Sequence, residues 1–133
     1  MPGTPTPNLG LTVPTVGGDN NTWGGELNGD LAIIDGLGAA GVVKVSANYA
    51  AVVGIFPETI VMMTTGGSNK TVTLLAPSAC AGRIWNIKKA DSGAGSVSIV
   101  PTSGLIDGAS SWSLVGQYSN VRVLSDGVNY AVL

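Results

Sequence analysis

The segment Gly36-Leu37-Gly38-Ala39-Ala40-Gly41 satisfies G-x-G-x-x-G, the spacing that lets a backbone approach a dinucleotide pyrophosphate. That chemistry needs a strand before the motif and a helix after it. Here a helical pattern precedes it and Val42-Val43-Lys44-Val45, a strand-forming run, follows. The segment therefore reads as a flexible joint between helix and sheet. The carboxylates are Asp19, Glu26, Asp30, Asp35, Glu58, Asp91, Asp107 and Asp126. A glycosidase sets two carboxylates across a sugar, but Asp107 and Asp126 each precede a glycine in a turn, where aspartate serves the backbone. With no histidine in the chain, a Ser-His-Asp triad is impossible and the commonest general base and metal ligand are missing. Cys80, the single cysteine, cannot complete a disulfide or a Cys-based zinc site within the chain; among Ala and Gly it reads as a small buried filler. Lys88-Lys89 reads as a solvated strand end. We expect no catalytic residue, no metal ligand set, no cofactor and no enzyme activity.

The aromatic residues offer one binding chemistry, the stacking of a ring on a sugar. Trp23 falls in a helical pattern and Trp85 is flanked by Ile84 and Ile87, so both read as packing. Trp112, between Ser111 and Ser113, and Tyr118 are the candidate contacts for a host-surface glycan.

Composition limits the scaffold that must carry such residues. The 133 residues are 44% hydrophobic, 5% aromatic and 11% charged, where an average domain has about 25% charged residues. Twenty glycines and seven prolines disfavour long helices and suit an all-β chain rich in turns. A net charge of -2 leaves no basic footprint for nucleic acid. Mean hydropathy of +0.37 with so few charges predicts an apolar exterior, which natural proteins hide in interfaces. We therefore expect a permanent oligomer. Val45 to Pro57 is too short and too polar for a membrane span, which needs about 20 apolar residues. The start, Met-Pro-Gly-Thr-Pro-Thr-Pro, does not read as a signal peptide.

Three regions follow along the chain. Residues 1–21 hold Pro2, Pro5, Pro7 and Pro14; fixed φ and missing N–H groups make this an extended arm, with Leu9, Leu11, Val13 and Val16 as points that dock on a partner. Residues 22–40 form a short helix and a Gly-rich joint. Trp23, Leu27, Leu31 and Ile34 make one helical stripe, capped by Asn21 or Thr22 and stopped at Gly36. Its three internal glycines cost about 1 kcal/mol each relative to alanine, so the stripe must be buried, on this chain or against copies of itself. Residues 41–133 read as strands at 42–46, 51–56, 59–64, 71–75, 83–88, 96–100, 112–115, 120–124 and 128–133, broken by turn residues. Asp126-Gly127 is the cleanest hairpin signal. Ile84 and Ile87 cannot both face inward without a bulge. The fold class is mainly β: an extended arm, one short helix, then a small antiparallel module of β-sandwich or β-prism type.

Two stretches carry a resemblance. Thr6 to Pro14, Gly17 to Gly24, Leu27-Asn28 and Leu31 to Asp35 resemble the attachment region of bacteriophage tail-fibre and related virion proteins. Thr71 to Leu75, Gly82-Arg83, Ile87-Lys88-Lys89, Asp91, Val97 to Val100, Ile106-Asp107-Gly108, Tyr118 and Val123 to Tyr130 resemble a small β module recurring in phage fibres. The resemblance implies a homotrimeric virion protein, made in the bacterial cytoplasm. Its arm (Pro7, Asn8, Leu9, Leu11, Val13 and Pro14) would dock on other virion proteins of tail or capsid, and its β module would project outward. Unlike a long tail fibre, the chain is not expected to carry a large receptor segment after the β module, and a short tail fibre, a head fibre or a capsid decoration protein is the expectation. A reading of another class is a small carbohydrate-binding module for host attachment. Neither nucleic acid nor a membrane span is expected among its partners.

Overall fold

The computed structural model describes residues 4–5, 11–13, 23–36, 40–54 and 56–133. The chain divides into two compact units, Met1–Ala39 and Ala40–Leu133.

In the first unit, β1 (Thr4–Pro5) pairs antiparallel with β2 (Thr12–Val13), Thr4 opposite Val13. Helix α1 spans Trp23–Gly36. Leu27, Leu31 and Ile34 are 49%, 52% and 49% exposed, so this chain alone does not bury the stripe. The capping residues Asn21 and Thr22 and the Trp23 side chain lie outside what the structure describes, as do Pro7, Asn8, Leu9 and Pro14 of the arm. So does most of the Gly-rich joint.

The second unit holds β3 (Ala40–Val45), β4 (Tyr49–Ala50), β5 (Glu58–Met63), β6 (Lys70–Leu74), β7 (Ile84–Lys89), β8 (Val97–Pro101), β9 (Trp112–Leu114), β10 (Asn120–Ser125) and β11 (Tyr130–Val132). They form a five-stranded sheet of order β11-β10-β7-β5-β3 and a four-stranded sheet of order β4-β6-β8-β9. Both sheets are mixed, which corrects the expectation of an antiparallel module. From β3 to β8 successive strands alternate between the sheets. Each return lays a strand parallel to its predecessor: β3 with β5, β5 with β7, β4 with β6 and β6 with β8. Only then do β9, β10 and β11 add antiparallel. The chain thus winds as a short solenoid, closed on one side by antiparallel strands. Apolar alternation along a strand says which residues face inward but not which strand lies beside it. Short links between strands in opposite sheets therefore look like hairpins in the sequence.

Between the sheets lies one apolar core. Val61, Met63, Trp85, Ile87, Val121 and Val123 come from one sheet and Val72, Leu74, Val97, Ile99 and Leu114 from the other. In β7 the inward parity is Trp85, Ile87 and Lys89. Ile84 faces outward, and the register with β5 and β10 runs without a bulge. The expected strand 51–56 is not found among its described residues: Ala51–Gly54 is irregular, and the short strand β4 lies just before it at Tyr49–Ala50. The chain there crosses to the other sheet through Gly54 and Pro57. The Asp126-Gly127 hairpin forms with Ser125 opposite Tyr130 and Val123 opposite Val132. Asp126 accepts the N–H groups of Val128 (2.7 Å) and Asn129 (2.6 Å), and these bonds, the Asn129 one first, lower its pKa.

Candidate functional site

The outer faces of the two sheets differ in chemistry. Outward positions of the four-stranded sheet include Thr71, Thr73, Ser98, Val100 and Ser113, with no charge among them. The outer face of the five-stranded sheet carries Lys44, Glu58, Lys88 and Arg122. Its register aligns Lys44, Met62, Lys88 and Asn120 in one cross-strand row, and Val42, Ile60, Asn86 and Arg122 in the next. Arg122 makes a two-pronged ion pair with Glu58, Nε to Oε1 at 2.9 Å and Nη2 to Oε2 at 3.0 Å. The guanidinium lowers the Glu58 pKa by its hydrogen bond and charge. Among the described residues no carboxylate lies in ion-pair range of Lys44 or Lys88. The Lys88 ammonium instead sits 5.5 Å from the centroid of the Tyr118 ring, a cation–π distance.

Tyr118 occupies the turn between β9 and β10 with φ of +59°, a conformation that costs a bulky residue about 1–3 kcal/mol. Ser119 helps hold the turn, its N–H and hydroxyl both donating to the Gly116 carbonyl at 3.1 and 2.6 Å. The Lys89 N–H donates to the Ser119 carbonyl at 2.9 Å. Tyr118 as a residue stays 58% exposed. Beside it, Asn120 Nδ2 approaches Asn86 Oδ1 at 3.5 Å. The other glycan candidate, Trp112, has the inward parity of Leu114 and packs, half-buried, against the core. It stands on the other sheet from Lys88 and Asn120, so of the two glycan candidates Tyr118 is the exposed one.

Lys89 corrects the reading of Lys88-Lys89 as a solvated strand end. Its side chain is fully buried. Nζ donates to the Asp91 carbonyl (2.8 Å), Asp91 Oδ1 (3.2 Å) and the Gly93 carbonyl (2.7 Å), which uses all three of its donors. Asp91 also accepts from the Gly66 N–H at 2.9 Å and from the buried Thr65 hydroxyl at 3.1 Å. The Gly66 bond first, then those from Thr65 and Lys89, hold its carboxyl far below the usual range. This polar plug ties the β5–β6 turn to the β7–β8 turn. A Cβ at Gly95 would collide with the Ser68 backbone, so the two turns stack too closely for any other residue. The plug's atoms are mutually satisfied and its ammonium is buried, which makes it a structural closure. Strand parity carried the signal: once Trp85 and Ile87 face inward, Lys89 must follow.

Cys80 is buried, with Sγ 3.1 Å from Tyr130 Oη. Tyr130 donates to the Leu75 carbonyl at 2.8 Å, its ring meets Trp85 edge-on at 6.1 Å, and burial raises its pKa. An apolar cleft of about 180 Å³ at the free edge of β3 is lined by Val42, Tyr49, Val52 and Phe56 among others. Among the described residues no group of His, Cys, Asp or Glu could hold a metal ion, and no helix is long and apolar enough to cross a membrane. Compared with known proteins, the chain matches no family model, and neither a curated protein nor a solved structure shows significant similarity to it.

Proposed function

We propose that this chain is a structural component of a bacteriophage virion: a short homotrimeric fibre whose amino-terminal arm docks on the particle, in the tail or as a tail-associated fibre. The observation that carries the reading is the half-exposed stripe Leu27, Leu31 and Ile34 on α1. A glycine-bearing helix with its apolar stripe in water is not self-sustaining, and packing copies of the helix together supplies the missing burial. The β unit supports the same reading. Its core is complete, its buried charge serves to close the fold, and its charged outer face suits display. Several arms on one trimer would bind a particle jointly, gaining affinity through effective concentration.

Deleting residues 1–21 tests the docking role. A soluble trimer that no longer enters particles is expected, and normal incorporation refutes the anchoring. Replacing Leu27 and Leu31 by Asp tests self-association. Sedimentation should show smaller species than the parent chain, and unchanged assembly rules out the helix as the contact.

A further inference from the structure

We infer that the outer face of the five-stranded sheet binds an acidic sugar, a pyranose bearing a carboxylate or a phosphate, between Lys44, Lys88, Tyr118 and the Asn86–Asn120 amide pair. Three features converge on this class of ligand. The first is charge. In a chain of net charge -2, the cross-strand row Lys44, Met62, Lys88 and Asn120 puts two ammonium groups on one face, with no described carboxylate in ion-pair range. Their backbone positions are two strands apart, about 10 Å, a span that long lysine side chains narrow to the width of one substituted ring.

The second feature is the ring of Tyr118. Tyr118 as a residue is 58% exposed although its backbone is held at φ of +59°, a strained turn that nonetheless leaves it on the surface. Lys88 lies over the ring at 5.5 Å, and the residue's exposure leaves aromatic surface for the C–H face of a sugar. The third is hydroxyl recognition. Asn120 Nδ2 meets Asn86 Oδ1 at only 3.5 Å, a long bond that leaves amide donors and acceptors able to meet sugar hydroxyls. An inorganic anion would have no use for the ring, and a neutral sugar none for the lysines.

The site lies within a single chain and does not depend on trimer formation. Amide-shift titrations of the full chain with sodium glucuronate and with glucose 6-phosphate separate the carboxylate and phosphate forms of the ligand. Glucose, inorganic phosphate and triglutamate serve as comparators. One or both acidic sugars should give saturable shifts at Lys88, Tyr118 and Asn120 with a millimolar Kd. Lys88→Gln should weaken binding about fivefold, Tyr118→Ala about fivefold and Lys44→Gln by a smaller factor, the fold unchanged by circular dichroism. The Leu27→Asp, Leu31→Asp chain should bind as the parent does, whatever its assembly state. Absence of saturation up to about 50 mM, where even a 10 mM Kd would show, overturns the proposal. So does an equal response to glucose, inorganic phosphate or triglutamate, or undiminished binding by Lys88→Gln and Tyr118→Ala.

Discussion

Replacing Lys89 by Met removes the buried ammonium while nearly preserving side-chain volume, so a cavity contributes little to the outcome. Three acceptors lose their donor: the carbonyls of Asp91 and Gly93, and Asp91 Oδ1. A buried acceptor left unsatisfied costs about 1–3 kcal/mol, and breaking a buried ion pair costs about 3–5 kcal/mol. The lower end applies here, because the Asp91 side chain is 20% exposed and keeps the Thr65 and Gly66 donors. We expect a loss of about 3 kcal/mol, equivalent to a drop in Tm of about 15 °C for a domain of this size. Urea unfolding followed by circular dichroism measures it. Lys88→Met, on the same strand but facing out, is the control and should change stability by no more than about 1 kcal/mol, the worth of its exposed cation–π contact with Tyr118. A Lys89→Met variant as stable as the parent would falsify the account of the plug as a structural closure.

Acid titration addresses the other half of the plug. The folded-state pKa of Asp91 is depressed, so its contribution is present above the unfolded value of about 3.9 and is lost as pH falls from there toward the folded value. Stability should therefore decline below about pH 4, and Asp91→Asn, already weakened at neutral pH, should decline less steeply; parallel curves would remove Asp91 from the explanation. Gly95→Ala forces a Cβ against the Ser68 backbone and should lower stability by about 1–3 kcal/mol in urea melts, whereas a neutral result would mean the turns part easily. Trp85 buries an indole N–H with no hydrogen-bond partner among the described residues. Trp85→Phe removes that penalty while shrinking the core, and calorimetry should find a net loss under about 1.5 kcal/mol; a loss above about 3 kcal/mol would show that the indole makes an interaction essential to the core.

Local physical chemistry made several elements legible from the sequence alone. Asp126-Gly127 combines a side chain that accepts backbone N–H groups with a residue that takes positive φ, here +95°; a hairpin forms there, but its loop runs over four residues, 126–129, and the return strand starts at Tyr130 instead of Val128. The 3.6-residue period of Leu27, Leu31 and Ile34 located the helix, since that spacing places side chains on one face wherever the chain sits. Trp85, flanked by Ile84 and Ile87, read as a packing residue, and it is buried; which parity of the strand faces inward was left open by the sequence. Other features depended on partners distant in sequence. Whether β5 lies beside β3 or β6 is decided by the packing of whole sheets, and alternating side chains are indifferent to it. Lys89 looked like an ordinary lysine because the groups that accept its hydrogen bonds, two backbone carbonyls and Asp91 Oδ1, are brought to it by the β7–β8 turn and cannot be read from composition. Lys44 and Lys88 lie far apart along the chain, and only parallel stacking through Met62 brings them onto one face with Tyr118. Residue types and periods report how each segment divides between core and water; neighbours across a sheet follow from the three-dimensional path that buries all those segments at once.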